Sequence, residues 1–345
     1  MKLFRMTLAL TSAVVLVGVA YVSQAKETAG TRMAAAAAKF MASLSAEQRE
    51  KATFAFDSKE RTNWFFTPRQ DAKKQYTRKG LPLEEMTEEQ KQAALALIRA
   101  GTSEGGYTKA TTIMSLESIL NELEKGSAMV RKPGWYFFSI FGDPSKNGSW
   151  GWRVEGHHLA LNFTLDGGKV IASTPAFFGA NPANVKQGPR KGLRTLAEAE
   201  DLAKELFRSF DDEQRKVALQ DKLFTDAEIG ESKPSVNLGQ AKGLAAGRMS
   251  EQQKIKLQNL LKSYADRMPP DIAQVELAQV KEAGLDNVHF AYACGLEPGE
   301  RYTYRIQGPS FVVMFLNEQS DSAKNPANHI HSVWRNIKGD FGLSQ

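Results

Sequence analysis

The chain has 345 residues, with 45 basic and 39 acidic side chains, five histidines and one cysteine. At 42% hydrophobic and 24% charged, it is globular in composition, neither disordered nor polytopic membrane, and long enough for two ordinary domains. One cysteine excludes an internal disulfide framework and any cysteine-cluster metal site.

Lys2 and Arg5 precede an apolar run from Leu8 to Val22, and Ser23-Gln24-Ala25 follows. A basic start, an apolar stretch and small residues at a cleavage point have the form of a secretory signal. The expectation is cleavage after Ala25 and a periplasmic or extracellular protein with no stable membrane insertion; the alternative is an uncleaved N-terminal anchor. Loss of Lys2 and Arg5 takes the net charge from +6 to +4 (6 − 2 = 4). No run of five or six basic residues exists, so no nucleic-acid partner is expected. Cys294 has no partner and reads as a buried small side chain rather than a nucleophile. The residues specify no oligomeric state.

Internal similarity organises the rest. Ser43-Leu-Ser-Ala-Glu-Gln-Arg49 resembles Ser209-Phe-Asp-Asp-Glu-Gln-Arg215, an offset of 166 (215 − 49). Met86-Thr-Glu-Glu-Gln-Lys91 resembles Met249-Ser-Glu-Gln-Gln-Lys254, an offset of 163 (254 − 91). Trp152-Arg-Val-Glu-Gly156 resembles Tyr304-Arg-Ile-Gln-Gly308, an offset of 152 (308 − 156). The first two segments read as helix starts, with Ser45, Thr87 and Ser250 at N-cap positions and Gln48, Gln90 and Gln253 in the first turn. Apolar residues then recur at helical spacing, as in Ala94, Leu97, Ile98 and Leu257, Leu260, Leu261. Further helices are predicted at 110–124, 195–208 and 271–283.

The third segment lies in aromatic, β-branched sequence. Strands are predicted at 135–141, 150–155, 159–165 and 170–178, then at 289–294, 301–307, 311–316 and 330–334. Each copy is therefore helices followed by a small antiparallel sheet, which argues an α+β fold. The expected organisation is a signal at 1–25, a first repeat at 26–194 and a second at 195–345. The two repeats are expected to form one compact unit about a pseudo-twofold axis.

All five histidines fall in the β segments: His157, His158, His289, His329 and His331. On a strand, His329 and His331 point to one face, a spacing suited to chelating a single ion. Imidazole suits zinc, copper or iron. His157 and His158, read as adjacent strand residues, face opposite ways, so only one of the two is expected to join that site. Glu155 lies on the His157 face, placed to orient a histidine or act as a base. The repeat register sets His157 and His158 against Pro309 and Ser310, so the histidines break the internal symmetry, as a functional feature would. Arg153 and Arg305 align with each other and read as structural charges.

A second feature is the loop Phe178-Gly-Ala-Asn-Pro-Ala183 leading to Gly188-Pro-Arg190 and Arg194. Asn181-Pro-Ala-Asn184 resembles Asn325-Pro-Ala-Asn328, and both loops are expected to border one cleft. Arg153, Arg190, Arg305 and Asn181 are the candidate contacts for an anionic or aromatic small molecule. Two functional readings follow. One is a metal-dependent hydrolase or oxidase acting on a small-molecule substrate. The other is a non-catalytic small-ligand-binding protein with no cofactor. Convergence of three imidazoles separates them.

The chain resembles a bacterial family known as domain of unknown function 3500. The residues carrying the resemblance are Trp150-Gly-Trp-Arg-Val-Glu-Gly-His-His-Leu-Ala-Leu-Asn-Phe163, Thr174-Pro-Ala-Phe-Phe-Gly-Ala-Asn-Pro182, Gly188-Pro-Arg190, Tyr304-Arg-Ile-Gln-Gly-Pro309 and Asn328-His-Ile-His-Ser-Val-Trp-Arg335. The family pattern continues with an aspartate where this chain has Asn336; Asp340 is the nearby alternative. The resemblance implies a location for the site but no reaction.

Overall fold

The computed structural model describes residues 27–145 and 147–343. The expected signal segment, residues 1–25, lies outside them. The first half carries α1 (Ala29–Ser43), α2 (Ala46–Ala52), β1 (Thr53–Phe54), β2 (Leu81–Pro82), α3 (Glu88–Gly101) and α4 (Glu104–Leu123). It ends with β3 (Tyr136–Phe141), β4 (Trp150–Gly156), β5 (Leu159–Asp166), β6 (Lys169–Ala172) and β7 (Ala176–Phe178). The second half carries α5 (Ala197–Arg208), α6 (Asp212–Ala218), β8 (Leu219–Gln220), α7 (Asp226–Ile229), β9 (Leu244–Ala245), α8 (Glu251–Ala265) and α9 (Pro270–Glu282). Then come β10 (His289–Cys294), β11 (Tyr302–Gln307), β12 (Phe311–Gln319) and β13 (His329–Asn336).

The helix starts form where the sequence places them. Ser45, Thr87, Asp211 and Ser250 each complete a capping box with a glutamine three residues on. Those glutamines also clamp helix to helix. Gln48 Nε2 donates to Glu85 O at 2.8 Å and Gln90 Nε2 to Ser43 O at 2.8 Å. Gln214 Nε2 donates to Arg248 O at 2.9 Å and Gln253 Nε2 to Ser209 O at 2.8 Å.

The fold is α+β, but the two small antiparallel sheets expected are one mixed sheet. Its order is β1-β3-β4-β5-β7-β13-β12-β11-β10-β8, with β2 on β3, β6 on β5 and β9 on β10. Antiparallel pairing of Val333 with Phe177 joins the halves, and β1–β3 and β8–β10 run parallel. Phe138 pairs with Val154, and Phe290 with Ile306. Thr53 pairs with Ile140, and Leu219 with Tyr292. Leu81 pairs with Phe138, and Leu244 with Phe290. The predicted strand 170–178 is two strands, because the chain leaves the ladder at Ser173-Thr174-Pro175, where Pro175 has no N–H to donate.

Alternating strand residues divide the core in two. Trp152, Phe163, Phe178, Val313 and Trp334 pack with Phe40, Leu97 and Leu257 of the helices. Phe177, Val312, Met314 and Val333 face away and pack with Trp64, Phe66, Phe224, Val236 and Phe341. That second face is covered by the largely irregular segments 55–80 and 221–243. Cys294 corrects an expectation: it is exposed, at the end of β10 with φ of 69°. Among the described residues no helix is long and apolar enough to cross a membrane.

Candidate metal centre

The histidine pair of the first half sits on a tight turn, not on a strand. Gly156 pairs with Leu159, so His157 and His158 form the two-residue connection between β4 and β5. Gly156 is required there, since a Cβ would lie 2.3 Å from the Tyr136 ring. The turn is held by Tyr136 Oη donating to His157 O at 2.8 Å and by His158 N donating to Phe66 O at 2.9 Å. His158 takes a φ of 64°, a left-handed conformation uncommon for a residue with a Cβ. The expectation that only one of the two histidines joins the site is therefore corrected. Strand alternation does not govern a turn, and the two rings stack at 3.7 Å.

The second pair comes from the start of β13. His329 and His331 flank Ile330, whose side chain enters the helix-side core, so both imidazoles face the opposite side. Ile330 pairs with Ala180 just beyond β7, which brings β13 against the first-half hairpin. Gly179 N donates to His158 O at 2.7 Å. A Cβ on Gly179 would stand 2.7 Å from Ile330 O and 3.1 Å from His158 Cδ2, so this seam also needs glycine.

The rings converge. His157, His158 and His329 each offer a nitrogen within 4.8 Å of the others. His158 Nε2 lies 2.7 Å from His329 Nε2 and 3.2 Å from His331 Nε2, which makes it the hub of four imidazoles. Tetrahedral metal–nitrogen bonds of about 2.0–2.1 Å set neighbouring nitrogens about 3.3 Å apart. The 3.2 Å separation is near that edge. The 2.7 Å one is hydrogen-bonding distance and must open by roughly half an ångström to admit an ion.

Carboxylates fix the outer nitrogens of two rings. Glu117 Oε1 on α4 is 2.5 Å from His157 Nδ1, and Asp226 Oδ1 on α7 is 2.6 Å from His331 Nδ1. Each arrangement places a proton on Nδ1 and leaves the Nε2 lone pair for a metal. Asn181 Nδ2 is 3.5 Å from His329 Nδ1, and Asn181 Oδ1 is buried without a partner. Turning that amide over would set Oδ1 to accept from His329 Nδ1–H. Burial pushes the His157, His158 and His329 imidazoles below the usual histidine range; Glu117 opposes this at His157, and the neighbouring histidines add to it at His158 and His329. Neutral imidazole is the form that binds metal.

These shifts predict acid sensitivity in the metal-free protein. Below about pH 6.5, the ordinary histidine value, the unfolded chain takes up protons that the native state refuses. Stability is then full above that pH and falls as pH drops toward the depressed native values. Thermal unfolding of metal-free protein should show a midpoint declining from pH 7 to pH 5; a flat midpoint contradicts the account.

The other expected site residues go elsewhere. Glu155 accepts from Phe65 N at 2.8 Å and lies 3.5 Å from Arg78 Nε and 3.4 Å from Arg153 Nε. Among the described residues no hydrogen bond joins Glu155 to a histidine. Arg153 is bound to Glu60 at 2.6 Å and Arg305 to Glu228 at 3.2 Å, both fully buried. Arg190 donates to Ser115 Oγ at 2.9 Å. His289 stands apart, its Nδ1 at 3.1 Å from Asn287 O. Asp340 serves Arg335 at 2.6 Å and Asn336 N at 2.9 Å, and Asn336 ends β13 opposite the histidine end. The asparagine at position 336 therefore leaves the histidines untouched. The two Asn-Pro-Ala-Asn loops bind each other, Asn184 N to Asn328 Oδ1 at 2.8 Å and Asn328 Nδ2 to Asn184 O at 3.0 Å. They border a cleft of about 490 Å³.

Sequence reasoning missed Glu117, Asp226 and Arg131, which contact the histidines from outside the β segments. Glu117 left one signal. It follows Ile113 and precedes Leu120 on the apolar stripe of α4, where an acid needs a buried partner. Asp226→Asn keeps the shape and lowers the hold on His331, so metal affinity should fall about 10–100-fold. Competition with a chromophoric chelator measures this.

No curated protein and no solved structure matches the chain. A family model does, over residues 26–343, essentially all the described chain. The chain belongs to the family described as Protein of unknown function (DUF3500).

Proposed function

We propose that the chain is an exported metalloprotein that holds one transition-metal ion, zinc, copper or iron, between two copies of an α+β unit. The observation that carries the reading is the convergence of His158 Nε2 on His329 Nε2 and His331 Nε2, with His157 stacked alongside. Half of the donors come from each side of the β7–β13 seam. Carboxylate-backed imidazoles supply the orientation that metal ligands need.

The duplication is supported by register. The sequence offsets of 166 and 163 recur in the pairings of Thr53 and Leu219 and of Leu81 and Leu244, and the 152 offset recurs in Phe138 and Phe290. The glutamine clamps repeat with the same partners. Export is supported by the apolar run from Leu8 to Val22. In this reading the site acts on a small substrate, by Lewis-acid-assisted hydrolysis, or, with copper or iron and dioxygen as the oxidant, by oxidation. A cavity of about 20 Å³ touches His157, enough for one water. The large cleft supports the rival reading of a small-ligand-binding protein, although Arg153, Arg190 and Arg305 do not line it.

Elemental analysis of purified protein tests the proposal. The expected result is about one equivalent in the wild type and none in His329→Ala plus His331→Ala. Equal substoichiometric metal in both would sink it.

A further inference from the structure

The cleft bordered by the two Asn-Pro-Ala-Asn loops has a volume of about 490 Å³, within the range of about 300–1,000 Å³ that takes a small organic molecule. Glu200, Asp201, Lys204 and Arg208 of α5 line it, together with Asn317 of β12 and Asn328. Asn317 pairs with Tyr302, whose ring enters the helix-side core, so the cleft opens on the helix side of the sheet. The histidine rings face the other side. No histidine lines the cleft, although Asn317 Oδ1 accepts from His329 N at 3.1 Å.

The charged groups of the cleft pair among themselves. Arg194 Nη2 binds Glu200 at 2.8 Å and Asp201 at 2.6 Å, and Lys204 Nζ binds Glu200 at 2.9 Å. Arg208 donates to Leu296 O at 3.2 Å and lies 3.7 Å from Glu297. Lys186 is unpaired among the described residues, but it is exposed, where water and salt screen its charge. A charged ligand would have to break the inner pairs. No lining side chain is aromatic, so no ring stacks on a flat ligand.

The uncommitted groups ask for a neutral polar partner. Asn184 is held by Asn328 through its backbone alone. Its Oδ1 is buried without a partner, and among the described residues its Nδ2 makes no hydrogen bond. Lys204 is 9% exposed, and Glu200 takes one of the three donors of its ammonium. Glu200 and Asp201 keep lone pairs that Arg194 and Lys204 do not use. A hydroxyl is the neutral group that donates to a carboxylate and accepts from an ammonium or amide at once. Adjacent hydroxyls on one small carbon skeleton repeat that pattern, and Leu296 and Ala183 offer apolar contact for its C–H groups.

We propose that this cleft binds a neutral, polyhydroxylated small molecule, a sugar or polyol, with Asn184 and Lys204 as contacts. The anionic or aromatic ligand expected from the sequence finds neither a free guanidinium nor a ring here. The site is independent of the metal reading, since it shares no side chain with the histidine cluster.

Saturation-transfer NMR on the full protein tests the proposal. Glucose, maltose, cellobiose, N-acetylglucosamine and myo-inositol are the neutral probes, with glucuronate and benzoate as the charged and aromatic contrasts. Asn184→Ala removes no hydrogen bond of the free protein, and Lys204→Met keeps the aliphatic stem; circular dichroism checks both folds. The expected result is saturable binding of at least one neutral probe, weakened at least about tenfold in each variant and unchanged in His329→Ala plus His331→Ala. No binding of any neutral probe, binding of the contrasts alone, or unchanged affinity in the folded variants overturns the proposal. Sugar binding lost in the histidine variant would place the ligand at the metal centre and overturn it too.

Discussion

Alanine at position 158 is expected to empty the metal centre. His158 Nε2 is the nitrogen that approaches both His329 and His331, and no other ring among the four has two such contacts. Loss of a supporting carboxylate costs about 10–100-fold in affinity, so loss of the hub ligand should cost at least about 100-fold. The backbone should survive, since the bonds to Phe66 O and from Gly179 N are main-chain bonds. Those two bonds hold the left-handed φ of position 158, which alanine adopts less readily than histidine, so a small loss of stability is expected alongside. Chelator competition reads the affinity and circular dichroism the fold. Unchanged affinity in a folded variant would remove His158 from the ligand set.

Arg335→Ala should have the largest effect on stability. The Arg335 guanidinium is fully buried and binds Asp340 through Nε at 2.6 Å. Its other nitrogens donate to Ile229 O at 2.8 Å, Gly230 O at 3.0 Å and Lys233 O at 2.9 Å. Alanine leaves a buried carboxylate without its cation and takes the guanidinium from Ile229 O, while Gly230 O keeps Lys233 N and Lys233 O keeps Trp64 Nε1 as donors. Breaking such a pair costs about 3–5 kcal/mol. The same bonds tie β13 to the segment that carries Asp226, so metal affinity should fall as well. Denaturant unfolding reads the first effect, and a loss under about 1 kcal/mol, the range of an exposed pair, would contradict the account.

Local features were legible in the sequence. Capping boxes act within four residues, so Ser45, Thr87 and Ser250 announce their helices whatever the tertiary context. Aromatic and β-branched runs marked β3 to β5 and β10 to β13 to within a few residues. The histidine pairs were visible for the same reason, as dipeptide and tripeptide motifs. Strand-spaced His329 and His331 share a face as expected. His157 and His158 do not alternate, because Gly156 allows the chain to turn against Tyr136. The short strands β1, β2, β8 and β9 carry two residues each, too few for any period to show. Glu117 and Asp226 lie 40 and 105 residues from the histidines they hold, a distance that only the folded sheet closes.

The central claim is that imidazoles from both halves hold one ion. X-ray absorption at the edge of the bound metal tests it most directly. Three or four nitrogen neighbours at about 2.0–2.1 Å are expected, with outer-shell scattering from imidazole carbons, and no metal edge in His329→Ala plus His331→Ala, which retains no ion. A first shell of oxygen alone, or an imidazole signal indifferent to that double replacement, would contradict it.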